Sequence, residues 1–394
     1  MKKIIKNLAI IFGKLVILIA LTALTAFLNS ASAKSIKKPD MGQQYYYLID
    51  LDTKEVLAQN NAQIPIPPSS MTKVMTAFVA FDLIEKNLLS LDKQCKIGYE
   101  AWRKSGSSMF LNHGDVVSMD KLLQGLLAVS GNDAAIAVAK NAAGSVENFV
   151  DMMNETASRI GLEESHFMNP HGLNEKGHHM SVKDLATLAI KFYEKFPQYT
   201  SYLSIPKFTH EKITQYNRNP LMKKHYEGVV AGKTGHTTKG GYGVLGIVKR
   251  DNRRLVGVIN KARTHYKRTS SIIKLFDFGF DNYKQLTLFK KGQKVANLNT
   301  WLGDNSKIGA VIKQDVIFNT RQDVEVDKIK AKVKFLSPIY APITKDTKVG
   351  ELIITVDKNK QYKYPLYAEK SIKKAGFLTR IRQVLRYKVN HFLR

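Results

Sequence analysis

The stretch "PPSSMTKVM" (67–75) joins two prolines and two serines to the start of a helix-like pattern. The prolines keep the preceding chain extended and mark the start of a helix. Ser70 and Lys73 are three residues apart, so they share one face of that helix. Spacing alone does not make them a reactive pair. Ser-x-x-Lys occurs seven times, with first serines at 35, 70, 90, 118, 204, 271 and 371.

Around this stretch the chain changes between strand-like and helix-like patterns. Residues 43–60 predict a β-hairpin, and strand patterns return from residue 228. Helical periodicity is predicted for 70–88, 118–128, 132–142, 146–160, 181–195 and 270–283. Strands at both ends with helices between them predict one α/β domain over residues 34–285, whose sheet pairs early strands with late ones.

The last part of the chain has a different pattern. Short alternating segments predict a small antiparallel β-sandwich-like domain over residues 286–366. Residues 370–394 contain eight Lys or Arg and no acid, with apolar residues at three- and four-residue steps. This pattern predicts a basic amphipathic helix on an anionic membrane surface. The alternative is a helix docked on the protein's own core.

The N-terminus predicts an exported protein. Residues 1–33 combine lysines, an apolar run at 15–28 and small residues before Lys34, which is the layout of a signal peptide cleaved after Ala33. A retained N-terminal anchor is the alternative. Cleavage removes four lysines and no acid, so the net charge falls from +28 to +24. Outside the cytoplasm we expect this charge to meet wall polymers, peptide carboxylates and lipid headgroups, and no nucleic acid.

Cys95 is the only cysteine, so an intrachain disulfide and a cysteine-based zinc site are both excluded. Two other segments could complete a site around Ser70. "SGN" (130–132) holds the only Ser-x-Asn and lies between two predicted helices, where a turn can direct both side chains into a cleft. "KTG" (233–235) ends a predicted strand, and its glycine allows a substrate backbone to approach closely. A second "KSG" at 104–106 lies in a loop pattern and is discounted for this role.

Ser-x-x-Lys, Ser-x-Asn and Lys-Thr-Gly, in this order, resemble the signature of penicillin-binding proteins and class A β-lactamases. The wider match resembles the D-alanyl-D-alanine carboxypeptidases among the low-molecular-mass penicillin-binding proteins. It rests on "SGSSMFL" (105–111), "LLAVSGNDAA" (126–135), "NPHGL" (169–173), "NRNPLM" (217–222) and "GKTGHT" (232–237). The resemblance implies a β-lactamase/transpeptidase-like domain, an antiparallel sheet with a helical cluster, that acts on peptidoglycan stem peptides. It also implies covalent inhibition by β-lactams and no cofactor or metal.

The resemblance assigns roles to the residues of the first two motifs. Ser70 is the expected nucleophile, which forms an acyl-enzyme with the penultimate D-Ala. Lys73 is the expected general base, and Ser130 the proton relay to the departing D-Ala. Asn132 is expected to hold the substrate amide.

The third motif and two arginines are expected to bind the carboxylate end of the substrate. Lys233 and Thr234 are assigned to the carboxylate side, with Gly235 and His236 beside them. Two arginines complete the set: Arg268 matches an arginine near that carboxylate, and Arg218 is a weaker match that a structural role also explains. Gly232 departs from the pattern, because many relatives have a bulkier residue there.

Four alternatives to the carboxypeptidase remain. A class A-like β-lactamase would need a Glu followed by Leu-Asn, which the region of Glu163 and Glu164 does not offer. A DD-endopeptidase acting on crosslinks would use the same residues. A metallopeptidase would draw on the histidines at 166, 171, 178 and 179, which lack a recognisable ligand spacing. A non-catalytic penicillin-sensing module has no support in the sequence, since all three motifs are intact.

Overall fold

The computed structural model describes residues 39–42, 44–357 and 360–392. The predicted signal peptide lies outside these residues. The first part of the chain forms strands β1 to β9: Tyr45–Asp50, Val56–Asn60, Gln94–Lys96, Val116–Ser118, Lys207–His210, Ile213–Tyr216, Val229–Thr237, Gly241–Arg250 and Arg253–Ala262. Its helices α1 to α8 are Lys73–Glu85, Tyr99–Trp102, Met119–Ala128, Asn132–Ala143, Val146–Ile160, Val182–Lys195, Pro220–Lys223 and His265–Asn282. Two 3-10 helices, Ser69–Thr72 and Pro197–Ser204, complete this part.

The central sheet pairs early strands with late ones, as the sequence predicts. Its order is β2-β1-β9-β8-β7 and every neighbouring pair is antiparallel. Alternate residues belong to different apolar clusters: Tyr47 and Val258 pack with the helical cluster, whereas Leu48 and Ile259 pack with α8. Because successive strand residues face opposite sides, the sheet lies between these two helical layers.

The predicted helix at 70–88 has two parts. Its first turn, Ser69–Thr72, is a 3-10 helix, and α1 begins at Lys73 and ends at Glu85. Ser69, which directly precedes Ser70, does not cap this helix. Ser69 has φ +52°, its side chain makes no cap hydrogen bond, and its Oγ lies 3.1 Å from Thr237 Oγ1 on β7. Contact with the sheet therefore determines the shape of the turn.

The other predicted helices of this part lie within two residues of the observed ones, with one exception. Helix α8 begins at His265, five residues before the predicted start at 270. The Thr264 hydroxyl accepts a hydrogen bond from the Lys267 N–H (3.1 Å) and caps the helix. The prediction missed this first turn because its residues are polar or basic and add nothing to the apolar periodicity.

A β-rich part follows α8. Its strands β10 to β17 are Tyr283–Phe289, Lys294–Trp301, Lys307–Ile312, Val316–Arg321, Lys330–Lys334, Ile339–Tyr340, Lys348–Asp357 and Lys360–Ala368. A six-stranded sheet has the order β14-β16-β17-β12-β11-β15, and β10 pairs with β13. Side chains of both sheets pack into one core around Phe318, so the part is sandwich-like. One pairing differs from the antiparallel expectation, because β15 runs parallel to β11.

The last described element is helix α9, Phe377–Phe392. It begins seven residues after the expected start at 370, and residues 370–376 are not helical. Among the described residues, no helix combines the length and apolarity needed to cross a membrane.

Candidate active site

Ser70 and Lys73 form a hydrogen-bonded pair at the junction between the 3-10 turn and α1. Lys73 Nζ lies 3.0 Å from Ser70 Oγ, 2.7 Å from Asn132 Oδ1 and 2.7 Å from the His171 carbonyl oxygen. Asn132 Nδ2 donates to the Ser105 carbonyl (2.8 Å), which orients the amide with its oxygen towards the lysine. A neutral lysine amine has two hydrogens, and two of its three partners can only accept. Both hydrogens are therefore donated to the oxygens of Asn132 and His171, and the lone pair faces the Ser70 hydroxyl.

The environment of Lys73 favours this neutral form. The side chain is fully buried, and burial lowers its pKa well below the usual value. The positive charges of Lys233 and Arg218 lower the pKa further, whereas Asp133 opposes them. A neutral buried amine within hydrogen-bond reach of a hydroxyl is a suitable general base.

Ser130 and Lys233 form a second pair beside the first. Ser130 lies in the turn before α4 with φ +68°, and its hydroxyl accepts a hydrogen bond from Lys233 Nζ at 2.8 Å. Lys233 Nζ also donates to the Thr234 carbonyl at 3.1 Å. Burial, followed by the charges of Arg218 and Arg268, lowers the pKa of Lys233 to about 7. The Ser130 hydroxyl therefore borders both the cleft and a titratable amine.

A loop before α3 forms one wall of the site, and Asp133 holds it in place. The buried Asp133 carboxylate accepts from the backbone N–H groups of Met109 and Leu111 and from the Ser108 hydroxyl at 2.5 Å. The loop includes the discounted "KSG" segment, which contributes the Ser105 carbonyl to Asn132. Sequence reasoning did not single out Asp133, because its function depends on a loop more than twenty residues earlier.

A pocket of about 650 Å³ opens over these pairs. Its lining includes seven predicted residues: Ser70, Ser130, Arg218, Thr234, Gly235, His236 and Arg268. Lys73, Asn132 and Lys233 lie buried beneath it. The structure thus brings all ten predicted site residues to one cleft.

The arginines and the edge strand complete the pocket. Arg218 Nη1 donates to the Ser107 hydroxyl (2.9 Å), so it has a structural contact as well as a position in the cleft. Arg268 is half-buried, its Nε has no hydrogen-bond partner, and burial lowers its pKa. Tyr242 supports this wall, since its ring stacks on His236 (centroids 3.9 Å apart) and lies 5.9 Å from the Arg268 guanidinium carbon. Neither Ser107 nor Tyr242 was expected from the sequence.

Gly235 lies where β7, the edge strand of the sheet, passes the nucleophile turn. A Cβ at this position would lie 2.9 Å from the Pro68 carbonyl oxygen and 3.2 Å from the Ser70 nitrogen. The strand can approach the turn this closely only with glycine. Gly235 is therefore needed for this packing as well as for the expected approach of a substrate backbone.

One of the clustered histidines, His178, supports the nucleophile turn. His178 Nδ1 accepts from the Met168 N–H (3.1 Å), so its Nε2 carries the hydrogen donated to Thr72 Oγ1 at 2.9 Å. Burial lowers the pKa of His178 to about 4, which keeps the ring neutral. The described part of the chain contains no group of three His, Cys, Asp or Glu side chains placed to hold a metal ion.

Comparison with known proteins identifies the family. The profile of the D-alanyl-D-alanine carboxypeptidases matches residues 32–264. The chain belongs to this family. A second profile, the C-terminal domain of penicillin-binding protein 5, matches residues 283–374.

Relatives and solved structures agree with this membership. The D-alanyl-D-alanine carboxypeptidase DacD of Salmonella typhimurium is 34% identical over 354 residues, covering 87% of this chain and 90% of its own. Penicillin-binding protein 5 of Haemophilus influenzae has a TM-score of 0.80 at 27% identity, covering 86% of this chain and all of that one. Penicillin-binding protein D2 of Listeria monocytogenes, solved in the ampicillin-bound form, has a TM-score of 0.56 at 25% identity, covering 62% of this chain and 99% of that one.

These matches confirm the predicted fold class and the predicted enzyme class. The fold is that of a penicillin-binding protein 5-like catalytic domain followed by a β-rich domain. The chain is a serine-type D-Ala-D-Ala carboxypeptidase, a penicillin-binding hydrolase. The matches do not favour the alternatives of a β-lactamase or an endopeptidase.

Proposed function

We propose that this carboxypeptidase removes the terminal D-Ala from peptidoglycan stem pentapeptides through an acyl-enzyme on Ser70. One observation carries the assignment: a fully buried Lys73 amine, with lowered pKa, lies 3.0 Å from the Ser70 hydroxyl. Its other two contacts are acceptors, so its lone pair is directed at that hydroxyl.

Acylation starts when Lys73 takes the Ser70 proton and Oγ attacks the carbonyl between the two D-alanines. The backbone N–H of Ser70, close to β7, is one candidate to stabilise the oxyanion. Lys233 and Thr234, with His236, Arg218 and Arg268 around them, bind the terminal carboxylate. Asn132 positions both Lys73 and the substrate amide.

The leaving D-Ala needs a proton on its amine. Ser130 supplies it and is reprotonated from the amine side, where Lys233 lies 2.8 Å from its oxygen. The proton that Lys73 took from Ser70 then replaces the one that Lys233 lost, so Lys73 is neutral again. Water attacks the acyl carbonyl, Lys73 accepts a proton from it, and this proton passes to Ser70 Oγ as the shortened peptide leaves. A β-lactam follows the first step only, because its leaving amine stays attached to the acyl group.

The test is release of D-Ala by purified Ser70→Ala, alongside labelling with a fluorescent penicillin. Both should be lost while the circular dichroism spectrum is unchanged. Ser90→Ala is a matched control, because Ser90 begins another Ser-x-x-Lys but is exposed. D-Ala release that survives Ser70→Ala would remove Ser70 from the mechanism.

We also propose the domain division and location that the sequence predicts. The division comprises a signal peptide (1–33), the peptidase domain (34–285), the β-rich domain (286–366) and a membrane-surface helix (370–394). The two family profiles, over 32–264 and 283–374, support a boundary near residue 285. The protein is exported and peripheral on the outer face of the cytoplasmic membrane.

Helix α9 supports the membrane contact. Its apolar side chains at 377, 378, 381 and 385 are between 42% and 79% exposed, although Gln383 contacts the Gly303 carbonyl at 3.2 Å. A basic helix with an exposed apolar face is suited to the interface of anionic lipid. Co-sedimentation with anionic vesicles tests this, and replacing Phe377, Ile381 and Leu385 by serine should abolish it. Equal binding by neutral vesicles, or by the triple variant, would contradict the proposal.

A further inference from the structure

The catalytic pocket extends beyond what the proposed carboxylate contact requires. A terminal D-Ala offers a methyl group and one carboxylate, whereas the pocket encloses about 650 Å³. Beyond Arg268 the wall continues with His265 and Thr269, which lie three residues before it and one after it on α8. Residues at three- and four-residue spacing share a helix face, so α8 presents one continuous surface to the pocket.

Two lysines at the end of α7 complete this wall. Lys223 and Lys224 are exposed and line the pocket together with Arg218 and Arg268. No Asp or Glu belongs to the lining within the described residues. Two acids close to α7 and α8, at positions 227 and 277, instead face Arg250 at 3.7 and 3.8 Å.

This balance of charge has a consequence for the occupant. Four cationic side chains line the pocket and Lys233 lies beneath it, but the terminal carboxylate carries one negative charge. Lining a cleft with one sign of charge attracts ligands of the opposite sign. An occupant with a second carboxylate would complement the wall better than a single D-Ala.

We propose that Lys223 and Lys224 form a second anion subsite on the leaving-group side, which binds a carboxylate lying beyond the scissile bond. The inference rests on the proposed function, because that function places the leaving group against Thr234 and Arg268. Crosslinked stem peptides carry such a group, since their leaving amine belongs to a second peptide with carboxylates of its own. The two lysines are thus specificity determinants for substrates that extend past the terminal residue.

Exposed charge pairs are weak, so the expected preference is modest. One such contact changes affinity by up to about fivefold, and salt screens it over about 10 Å. We therefore expect about a fivefold preference for a leaving residue with an additional carboxylate over its neutral isostere.

The test compares three acyl-D-Ala substrates whose leaving residue is D-Ala, D-Glu or D-Gln. D-Glu and D-Gln have the same size and differ by one carboxylate. The kcat/KM ratio of D-Glu to D-Gln should be about five in the wild type. It should fall to about one or below in Lys223→Glu/Lys224→Glu, and fall likewise at high salt. Lys330→Glu/Lys332→Glu, on exposed strand β14, carries the same charge change and should keep the wild-type ratio.

Each outcome separates the two proposals. If D-Ala is released but the D-Glu to D-Gln ratio is one, or neither extended substrate is cleaved, the subsite is wrong and the proposed function stands. A preference that survives the Lys223/Lys224 double variant likewise overturns the subsite. If D-Ala itself is not released by the wild type, the proposed function fails and the subsite fails with it.

Discussion

Replacing Lys233 by methionine should stabilise the protein while it impairs catalysis. The buried amine has a folded-state pKa of about 7, against 10.5 for a free lysine. At pH 7 this difference costs about 4 kcal/mol of folding free energy. Methionine removes that cost but loses two hydrogen bonds, to Ser130 and the Thr234 carbonyl, each worth about 1 kcal/mol. The net expectation is a gain of about 2 kcal/mol.

The effect has a defined pH dependence. Between pH 7 and 10.5 the unfolded chain binds the lysine proton and the folded protein does not, so the stability of the wild type rises with pH. The advantage of Lys233→Met should therefore be largest below pH 7, vanish near about pH 9, and become a deficit of about 2 kcal/mol towards pH 10.5, where only the lost hydrogen bonds count. Loss of the neighbouring charge also raises the pKa of Lys73, which slows acylation at neutral pH.

Urea denaturation followed by circular dichroism measures the stability, because the helices of the described residues lie mainly in the peptidase part. Acylation by a fluorescent penicillin, expected to fall at least about 100-fold, measures the activity. Lys332→Met, at an exposed position, is the control and should change neither. The reasoning is refuted if Lys233→Met is no more stable at pH 7, or if its advantage does not shrink as pH rises.

Three further predictions test the site and its support. Gly172 has φ +82°, and a Cβ there would lie 2.0 Å from the Ser69 carbonyl oxygen, so Gly172→Ala should cut D-Ala release at least about 100-fold. Gly161 has a similar φ of +79° but open space around it. Gly161→Ala is therefore the control: it should keep D-Ala release and lose about 1 kcal/mol of stability in urea denaturation. Asp82→Asn removes a buried carboxylate with lowered pKa that contacts three cations, so it should lose about 2 kcal/mol at neutral pH in the same assay. That deficit should shrink as pH falls past 3.8, where the unfolded carboxyl group takes up a proton, and should close once pH is below the lowered pKa of folded Asp82; a constant gap would contradict the prediction. The rate of acylation by penicillin, measured by stopped flow, should fall as pH falls, because Lys73 takes up a proton and can no longer act as a base. An acylation rate that does not change with pH on the acid side would exclude Lys73 as the base.

Local patterns predicted the helices well where apolar residues recur on one face. The helix at 146–160 was predicted to the residue, because Ser145 caps it and Gly161 ends it. The start of α8 was missed because its first turn is polar, and the parallel β11–β15 pair could not be read from alternation. Strand alternation shows which residues face a core, but it does not show which strand is the neighbour.

The sequence by itself predicted ten residues that the structure brings to one cleft, through three short motifs in a characteristic order and the stretches around them. It also identified the family, because the three motifs in this order are a specific signature. A single Ser-x-x-Lys is not specific, since this spacing occurs seven times in the chain. Only the tertiary structure decided how the pKa of Lys73 is lowered. Its amine is buried against the Asn132 oxygen and the His171 carbonyl, which come from segments 59 and 98 residues away. Burial and a neighbouring cation lower a pKa only when distant parts of the chain enclose the group, and no local pattern records that enclosure.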